Sequence, residues 1–356
     1  MYSESDIDGA VDAGALSADA AASFRDHVAR SRSTVIVDEE HFRLLTGFND
    51  IFVSIAAVLM LVAMGWLGNA IRLGAPVGGP SPLTGLAVAG TAWGLAEYFT
   101  RQRRMALPSI ILLLAYAGGL FIGLASLIAG HFVGDMDRAT SLLLSLAAAI
   151  TGAGVWLHWR RFHVPITVAA GAAVIAGLAL SLAFAAMPAI GGQIMLVILL
   201  CGLGVFALAM KWDTSDPARL TRRSDVAFWL HLLAAPMIVH PIFSMLGLLH
   251  GSADPARAGI VILLYLVLGL VALAIDRRAL MVSALAYVIY AITSLIEQAG
   301  AVNLAFGITA LIIGSALLLL SAFWHVARGF IVGMLPDGVR GWLPQIDRPV
   351  VVAQSV

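Results

Sequence analysis

The stretch TRRSDVAFWLHLLAAPMIVHPIFSMLGLLH, Thr221–His250, shows how this chain is built. It opens on a basic corner, and about 24 mostly apolar residues follow, which is long enough for an α-helix to cross a bilayer. Such corners recur along the chain, at Arg103-Arg104, Arg160-Arg161, Arg222-Arg223 and Arg277-Arg278. The chain is therefore predicted to consist of apolar spans joined by short loops.

The composition excludes an ordinary soluble domain. Hydrophobic residues make up 60% of the 356 residues and charged residues 12%, whereas soluble domains carry about 25% charged residues. Lipid offers no hydrogen-bond partners, and apolar runs of about 20 residues indicate helices rather than barrel strands. The class predicted is an all-α polytopic membrane protein. The net charge of zero gives no reason to expect a nucleic-acid partner.

Ten apolar runs are predicted to be transmembrane helices. They lie at residues 50–71, 83–100, 108–133, 139–158, 165–187, 190–211, 226–249, 258–275, 279–297 and 302–326. Cytoplasmic loops are enriched in arginine and lysine, and all 21 of these residues except Arg72, Arg138 and Arg257 fall on one side of the ten spans. Both termini are therefore predicted to be cytoplasmic. Arginine-rich, lysine-poor composition with abundant alanine and glycine suggests a bacterial inner-membrane protein.

Three regions follow from this segmentation. Residues 1–49 are predicted to form a cytoplasmic amphipathic helical leader, 50–326 the ten-helix transmembrane domain, and 327–356 an interfacial or disordered cytoplasmic tail. In the leader, Ser17 has the position and chemistry of a helix N-cap. Side chains at helical spacing then form an apolar stripe that needs a partner. The stripe, which is a candidate binding surface for a cytoplasmic protein, includes Leu16, Phe24 and Val28.

The seventh predicted span carries the strongest candidate site. Counting 1.5 Å per residue from Val226, His231 lies about 8 Å into the span, Pro236 about 15 Å and His240 about 21 Å. A proline frees backbone carbonyls that could face a cavity, and a histidine at this depth could relay protons or bind a solute. The alternative is a neutral imidazole bonded to a freed carbonyl, which would serve packing alone.

Glu97 is the acidic residue placed well inside the second predicted span. It could belong to a path for a solute or protons, because ionisable residues within a membrane are often functional. Arg101 lies four residues further on and on the same helical face. An ordinary ion pair near the membrane surface explains Glu97 equally simply.

Two spacings describe how the spans pack. The arginine pairs recur at intervals that fit tandem helical hairpins facing the same way, although charge pairs mark any cytoplasmic turn and would produce much of this pattern. Paired glycines four residues apart are expected to let helix backbones approach closely. These pairs are Gly90 with Gly94, Gly119 with Gly123, and Gly130 with Gly134.

The N-terminal residues carry a resemblance to a known kind of protein. The segment Val11-Asp12-Ala13-Gly14-Ala15-Leu16-Ser17 through Phe24-Arg25 resembles the short cytoplasmic helix of a family of uncharacterised bacterial multi-pass proteins, to which no activity is assigned. The layout of ten spans with both ends inside also resembles that of drug and metabolite exporters. This chain departs from the exporters in its N-terminal extension and in its unmatched halves.

The functional expectation is a membrane protein without catalytic activity. The sequence has no Walker phosphate loop, GxSxG or HExxH motif, so no enzyme, cofactor or metal site is predicted. The first hypothesis is passage of a small solute or ion beside the seventh span. The second is a membrane scaffold or sensor that binds a cytoplasmic partner through its leader. The lipid bilayer surrounds the chain under both hypotheses.

Overall fold

The computed structural model describes residues 4–24, 48–71, 81–128, 138–216, 221–247 and 255–344. These residues form helices and connecting turns, with no strand among them. The predicted all-α class is therefore confirmed. The chain divides into two units, Met1–Leu44 and Leu45–Val356.

The first unit begins with a helix that the sequence did not predict, α1 (Glu4–Asp12). A second helix, α2, is described over 18–24, and the backbone N–H of Ala20 donates to Ser17 Oγ over 3.2 Å, which confirms the predicted N-cap. Phe24 is exposed, whereas Leu16 is half-buried. Val28, the last residue of the predicted stripe, lies outside the described residues.

The second unit contains nine helices, within the described residues, that are long and apolar enough to cross a membrane. They are α3 (Phe48–Ala70), α5 (Ala106–Ile128), α6 (Arg138–Phe162), α7 (Ile166–Ala186), α8 (Ile194–Thr214), α9 (Arg222–Met245), α10 (Pro255–Ile275), α11 (Ala279–Gln298) and α12 (Ala305–Ala322). Each lies within a few residues of a predicted span, because the apolar run fixes the length of a helix in lipid.

The segment predicted as the second span has a different construction. Helix α4 (Pro82–Ala96) has 15 residues and is capped by Ser81, whose side chain accepts from the backbone N–H of Leu83. A π-helix, Glu97–Gln102, continues it without a break. Helix α4 alone is shorter than the about 20 residues that a span requires.

Short turns join the helices in pairs. Helices α4 and α5, α6 and α7, α8 and α9, and α10 and α11 pack against each other as hairpins, and an arginine pair lies at each connection. Three of these corners contain a residue with left-handed backbone conformation: Arg104 at φ 53°, His163 at φ 52° and Asp276 at φ 58°. A left-handed residue just after a helix lets the chain reverse while the last carbonyls stay bonded.

The corners lie together on one side of the helices, called here the corner side. Glu97 binds Arg161 across the first two corners, and Asp213 binds Arg277 across the last two. A shared apolar cluster of α6, α7, α8 and α9 connects the two halves. This cluster includes Trp159, Trp212 and Trp229.

Close backbone approach occurs at one predicted glycine pair but not at another. A Cβ on Gly85 of α4 would overlap the carbonyl oxygen of Gly119 and the backbone nitrogen of Gly123 on α5, so that pair does bring two helices together. Gly90 and Gly94 face open space within 4 Å, and the prediction for them was wrong. The third pair, at 130 and 134, lies outside the described residues.

Helix α9 is the most enclosed of the nine. Of its most apolar 18 residues, 56% are buried, compared with 17% for α8 and α12. After α12, the chain turns into α13 (Trp324–Met334) and a short α14 (Asp337–Arg340). Helix α13 packs against α10, so the chain stays ordered well past residue 327. Its buried side chains are Trp324, Arg328 and Val332.

Candidate functional site

A buried charged cluster joins α8, α9 and the corner before α11. Asp213, in the last turn of α8, accepts from Nε2 of His231 over 2.9 Å. The guanidinium of Arg277 donates to both oxygens of the same carboxylate, with 3.3 Å between Nε and Oδ2. The three side chains are 1%, 0% and 3% exposed, respectively. One carboxylate is therefore shared by a cation and an imidazole with almost no access to solvent.

The backbone of the last corner aims Arg277 into this cluster. Helix α10 ends at Ile275, and Asp276 adopts the left-handed conformation that aspartate tolerates better than most residues. The N–H of Arg277 then bonds back to the carbonyl of Ala272 over 2.9 Å. This turn directs the Arg277 side chain inward, where it also donates to the carbonyl of Ser224 over 3.3 Å.

The preceding corner is fixed by its own polar contacts. Oδ2 of Asp216 accepts from the backbone N–H of Thr221 over 2.9 Å and from its hydroxyl over 2.7 Å. The hydroxyl of Thr221 accepts in turn from the N–H of Arg223 and caps α9. The first turn of α9 is thereby held beside the end of α8, which sets the position of His231 relative to Asp213.

A second buried pair lies beside the first. Oδ1 of Asp276 accepts from the indole N–H of Trp324 over 2.8 Å and lies 3.8 Å from Nε of Arg328. Arg328 is 2% exposed and also donates to the carbonyl of Pro344. When the imidazole is neutral, the negative charges of the two aspartates cancel the positive charges of the two arginines. This cancellation limits the free-energy cost of burying them.

The sequence-predicted site residues lie in three separate places. His231 is in the buried cluster, where the ring of Phe206 meets it edge-on at 5.3 Å between centroids. His240 is nine residues further along α9 and therefore on the opposite face. It is exposed, and its Nδ1 lies 2.8 Å from the hydroxyl of Tyr287. Pro236 is also exposed.

Glu97 belongs to a different part of the corner side. It binds Arg101 over 3.3 Å, as the ion-pair interpretation predicts, and also Arg161 over 2.8 Å. The side chains of Glu97 and Arg161 are 31% and 41% exposed, so this pair is largely open to solvent. Glu97 is 64 residues before Arg161, and Asp213 is 64 residues before Arg277. The exposed pair thus joins the first two of the four hairpins, and the buried pair joins the last two.

Another histidine, which the sequence analysis did not select, lies inside the first half of the helices. His158 is 1% exposed, and its Nδ1 lies 3.5 Å from the hydroxyl of Thr167. Aromatic rings of Trp93, Tyr116 and Phe162 surround it at 4.5–5.9 Å between centroids. Within the described residues, its Nε2 has no hydrogen-bond partner. No charged group comparable to Asp213 contacts it in the part of the chain that the structure describes.

Sequence reasoning selected His231 but missed Asp213 and Arg277. Asp213 lies just beyond the predicted span 190–211, and Arg277 was interpreted only as a topology signal. The equal intervals from Glu97 to Arg161 and from Asp213 to Arg277 are the one pattern that could have identified the pair. The described residues contain no group of three or more metal-binding side chains.

No family model matches this chain, and comparison with curated proteins and with solved structures gives no match either.

Proposed function

We propose that this chain is a bacterial inner-membrane protein that carries a small solute or an ion across the bilayer. The observation that supports this best is the buried cluster of Asp213, His231 and Arg277 within apolar helices. Ionisable groups inside a membrane domain are costly to bury and commonly mark a substrate or proton pathway. Helix α9, which carries His231, is also the most enclosed helix among the nine candidates.

The proposal includes ten spans with both termini in the cytoplasm. Helix α4 and its π-helix together run from Pro82 to Gln102, which is long enough for the second span. The corner side, which carries most of the arginines, is then the cytoplasmic side.

Single-cysteine labelling tests this orientation. In a Cys201→Ala background, the variant His163→Cys is expected to react with a membrane-impermeant maleimide only after the cells are permeabilised. A cysteine at Ser252, between α9 and α10, is expected to react in intact cells. Equal reactivity of both positions in intact cells would contradict the assignment of the corner side to the cytoplasm.

His231 is the member of the cluster whose side-chain type ordinarily changes its charge near neutral pH. With a neutral imidazole, the charges of Asp213 and Arg277 cancel. Protonation of His231 adds one positive charge beside Arg277, so that Asp213 then faces two cations. An unbalanced buried charge is unfavourable. Proton uptake therefore favours a rearrangement of the cluster or the entry of an anion, and either event couples the proton to a second movement.

The prolines of α9 give this coupling a place to act. Pro236 and Pro241 cannot donate to the carbonyls of Leu232 and Met237, so the helix is weakened one to three turns beyond His231. Gly202 of α8 lies against the backbone of Met237, where a Cβ would approach its carbonyl to 2.8 Å. A change at the cluster can therefore shift the outer part of α9 against α8.

Flux in proteoliposomes tests the transport proposal. Vesicles containing the full chain are loaded with a pH-sensitive dye, and solutes of each charge class are supplied under an imposed pH gradient. His231→Gln is expected to reduce pH-dependent flux by about a hundredfold, as removal of a positioned proton-transfer group commonly does. His163→Gln, which changes an exposed histidine at a corner, is expected to leave the flux unchanged.

His240→Ala is the informative third variant, because His240 lies on the opposite face of α9 and contacts Tyr287. A path that runs along the whole of α9 requires this variant to lose pH-dependent flux as well. Unchanged flux would exclude His240 from the path. Absence of flux for every solute class in the wild-type chain would contradict the transport proposal.

A scaffold or sensor is the second candidate function. It is favoured by Phe24, which is 44% exposed on a helix of the first unit although phenylalanine is usually buried. A cytoplasmic partner that covers the stripe of Leu16, Phe24 and Val28 would bury this side chain. This reading requires no transported solute, and it becomes the preferred one if no flux is found.

A further inference from the structure

An apolar cleft opens between α10, α11 and the end of α12, on the corner side. Its volume is about 150 Å³, similar to that of an engineered apolar cavity that stays dry and binds benzene. Leu317 and Val282 contribute to its walls, and Val282 is 65% exposed. The cleft is therefore accessible from the outer surface of the helices, which the acyl chains of the bilayer surround.

Three arginines lie near the mouth of this cleft, and two of them have an acidic partner. Arg277 is paired with Asp213, and Arg328 lies beside Asp276. Arg278 contacts the face of Trp324 at 4.7 Å and is exposed. It has no acidic partner within the described part of the chain. A negatively charged ligand group would therefore complement the charge of Arg278.

The cleft extends from this cation toward the middle of the membrane. Tyr265 lines its inner part, ten residues before the end of α10, which corresponds to about 15 Å along the helix. The hydroxyl oxygen of Tyr265 is buried and has no hydrogen-bond partner among the described residues. A cationic mouth at a tryptophan, followed by an apolar trough, matches the polarity of a phospholipid headgroup and the adjoining part of one acyl chain.

We propose that this cleft binds a phospholipid, with the phosphate at Arg278 and one acyl chain along Leu317 and Val282 toward Tyr265. Arginine binds phosphate through two parallel N–H donors, which a contact with an aromatic face leaves available. The acyl chain fills a volume that would otherwise be empty of side chains. Arg278 directly follows Arg277 of the buried cluster, but it is exposed and lines the cleft, and the proposal does not depend on transport.

Native mass spectrometry of the detergent-purified full chain tests this site. Titration with dioleoylphosphatidylglycerol is expected to show one phospholipid that remains bound at higher collision energy than the others. Arg278→Gln is expected to weaken its binding by about tenfold or more, the effect of losing a charged hydrogen bond. Arg104→Gln is the matched control, because Arg104 is an exposed arginine at another corner.

A second pair of variants tests the acyl-chain position without changing charge. Ser321→Trp places a large side chain in the cleft and is expected to displace the lipid, whereas Ser315→Trp, elsewhere on α12, is expected to have no effect. Dioleoylglycerol, which has the same chains without phosphate, is expected to bind more weakly and independently of Arg278. Equal lipid retention in Arg278→Gln and Arg104→Gln, or in the two tryptophan variants, would overturn the proposal.

Discussion

Replacing Asp213 with asparagine is expected to lower the free energy of unfolding by about 3–5 kcal/mol, the usual cost of removing one partner from a buried ion pair. The guanidinium of Arg277 would remain 3% exposed without its carboxylate, and His231 would lose its charged acceptor. Asparagine has nearly the same shape, so the loss reports charge rather than volume. Equilibrium unfolding of the full chain in mixed micelles measures this difference.

Glu97→Gln is the matched control for this experiment. Glu97 and Arg161 form the corresponding contact of the earlier hairpins, but with side chains 31% and 41% exposed. Solvent-exposed ion pairs contribute about 0–1 kcal/mol, so this variant is expected to unfold almost as the wild-type chain does. Equal destabilisation by Glu97→Gln and Asp213→Asn would show that burial does not determine the strength of these pairs.

A double variant separates the ion pair from the surrounding packing. In Asp213→Asn with Arg277→Gln, no unpaired charge remains in the cluster. We expect the combined loss of stability to be smaller than the sum of the two single losses, because the residues share one contact. Strict additivity would mean that Asp213 and Arg277 stabilise the chain independently.

Gly85→Ala is expected to destabilise the chain by about 1–3 kcal/mol, the range for inserting a group into a close-packed contact. A Cβ at this position would overlap backbone atoms of Gly119 and Gly123, which cannot move aside as a flexible side chain can. Helices α4 and α5 would have to separate along their contact. Because α4 is short, it has little other surface to compensate for this loss.

Gly90→Ala, on the same helix, provides the comparison. Its Cβ would meet no atom within 4 Å, so only the helix propensity changes. Alanine favours the helical conformation over glycine by about 1 kcal/mol in helix interiors, so this variant is expected to be neutral or slightly stabilising. Both variants are measured by the same mixed-micelle unfolding. A larger loss for Gly90→Ala than for Gly85→Ala would contradict the described contact between α4 and α5.

The fold class and the helix positions could be read from the sequence because both depend on local composition. Apolar runs of about 20 residues produced every long helix to within a few residues. Ser17 was identified as an N-cap from its chemistry and position alone. The π-helix after α4 could not be foreseen, since it depends on a one-residue change in hydrogen bonding that no residue pattern requires.

The candidate site was predicted only in part, because its partners are far apart in the chain. His231 stood out within an apolar run, but Asp213 follows the run 190–211 and has the sequence context of a solvated end. Its burial comes from Arg277, 64 residues later. The glycine pairs show the same limitation. Spacing put Gly90 and Gly94 on one face of α4, but only the neighbouring helix decides which face is in contact.

The distance along the chain between Asp213 and Arg277 also determines the order in which they reach the bilayer. A ribosome adds about 5–20 residues per second, so the 64 residues between them take several seconds to synthesise. During that interval the nascent chain holds α8 and α9, and Asp213 at their junction still lacks Arg277, its partner in the folded chain. The buried ion pair at the end of α8 can therefore form only after α10 has been synthesised. Insertion of α10 then completes the docking of the two preceding helices.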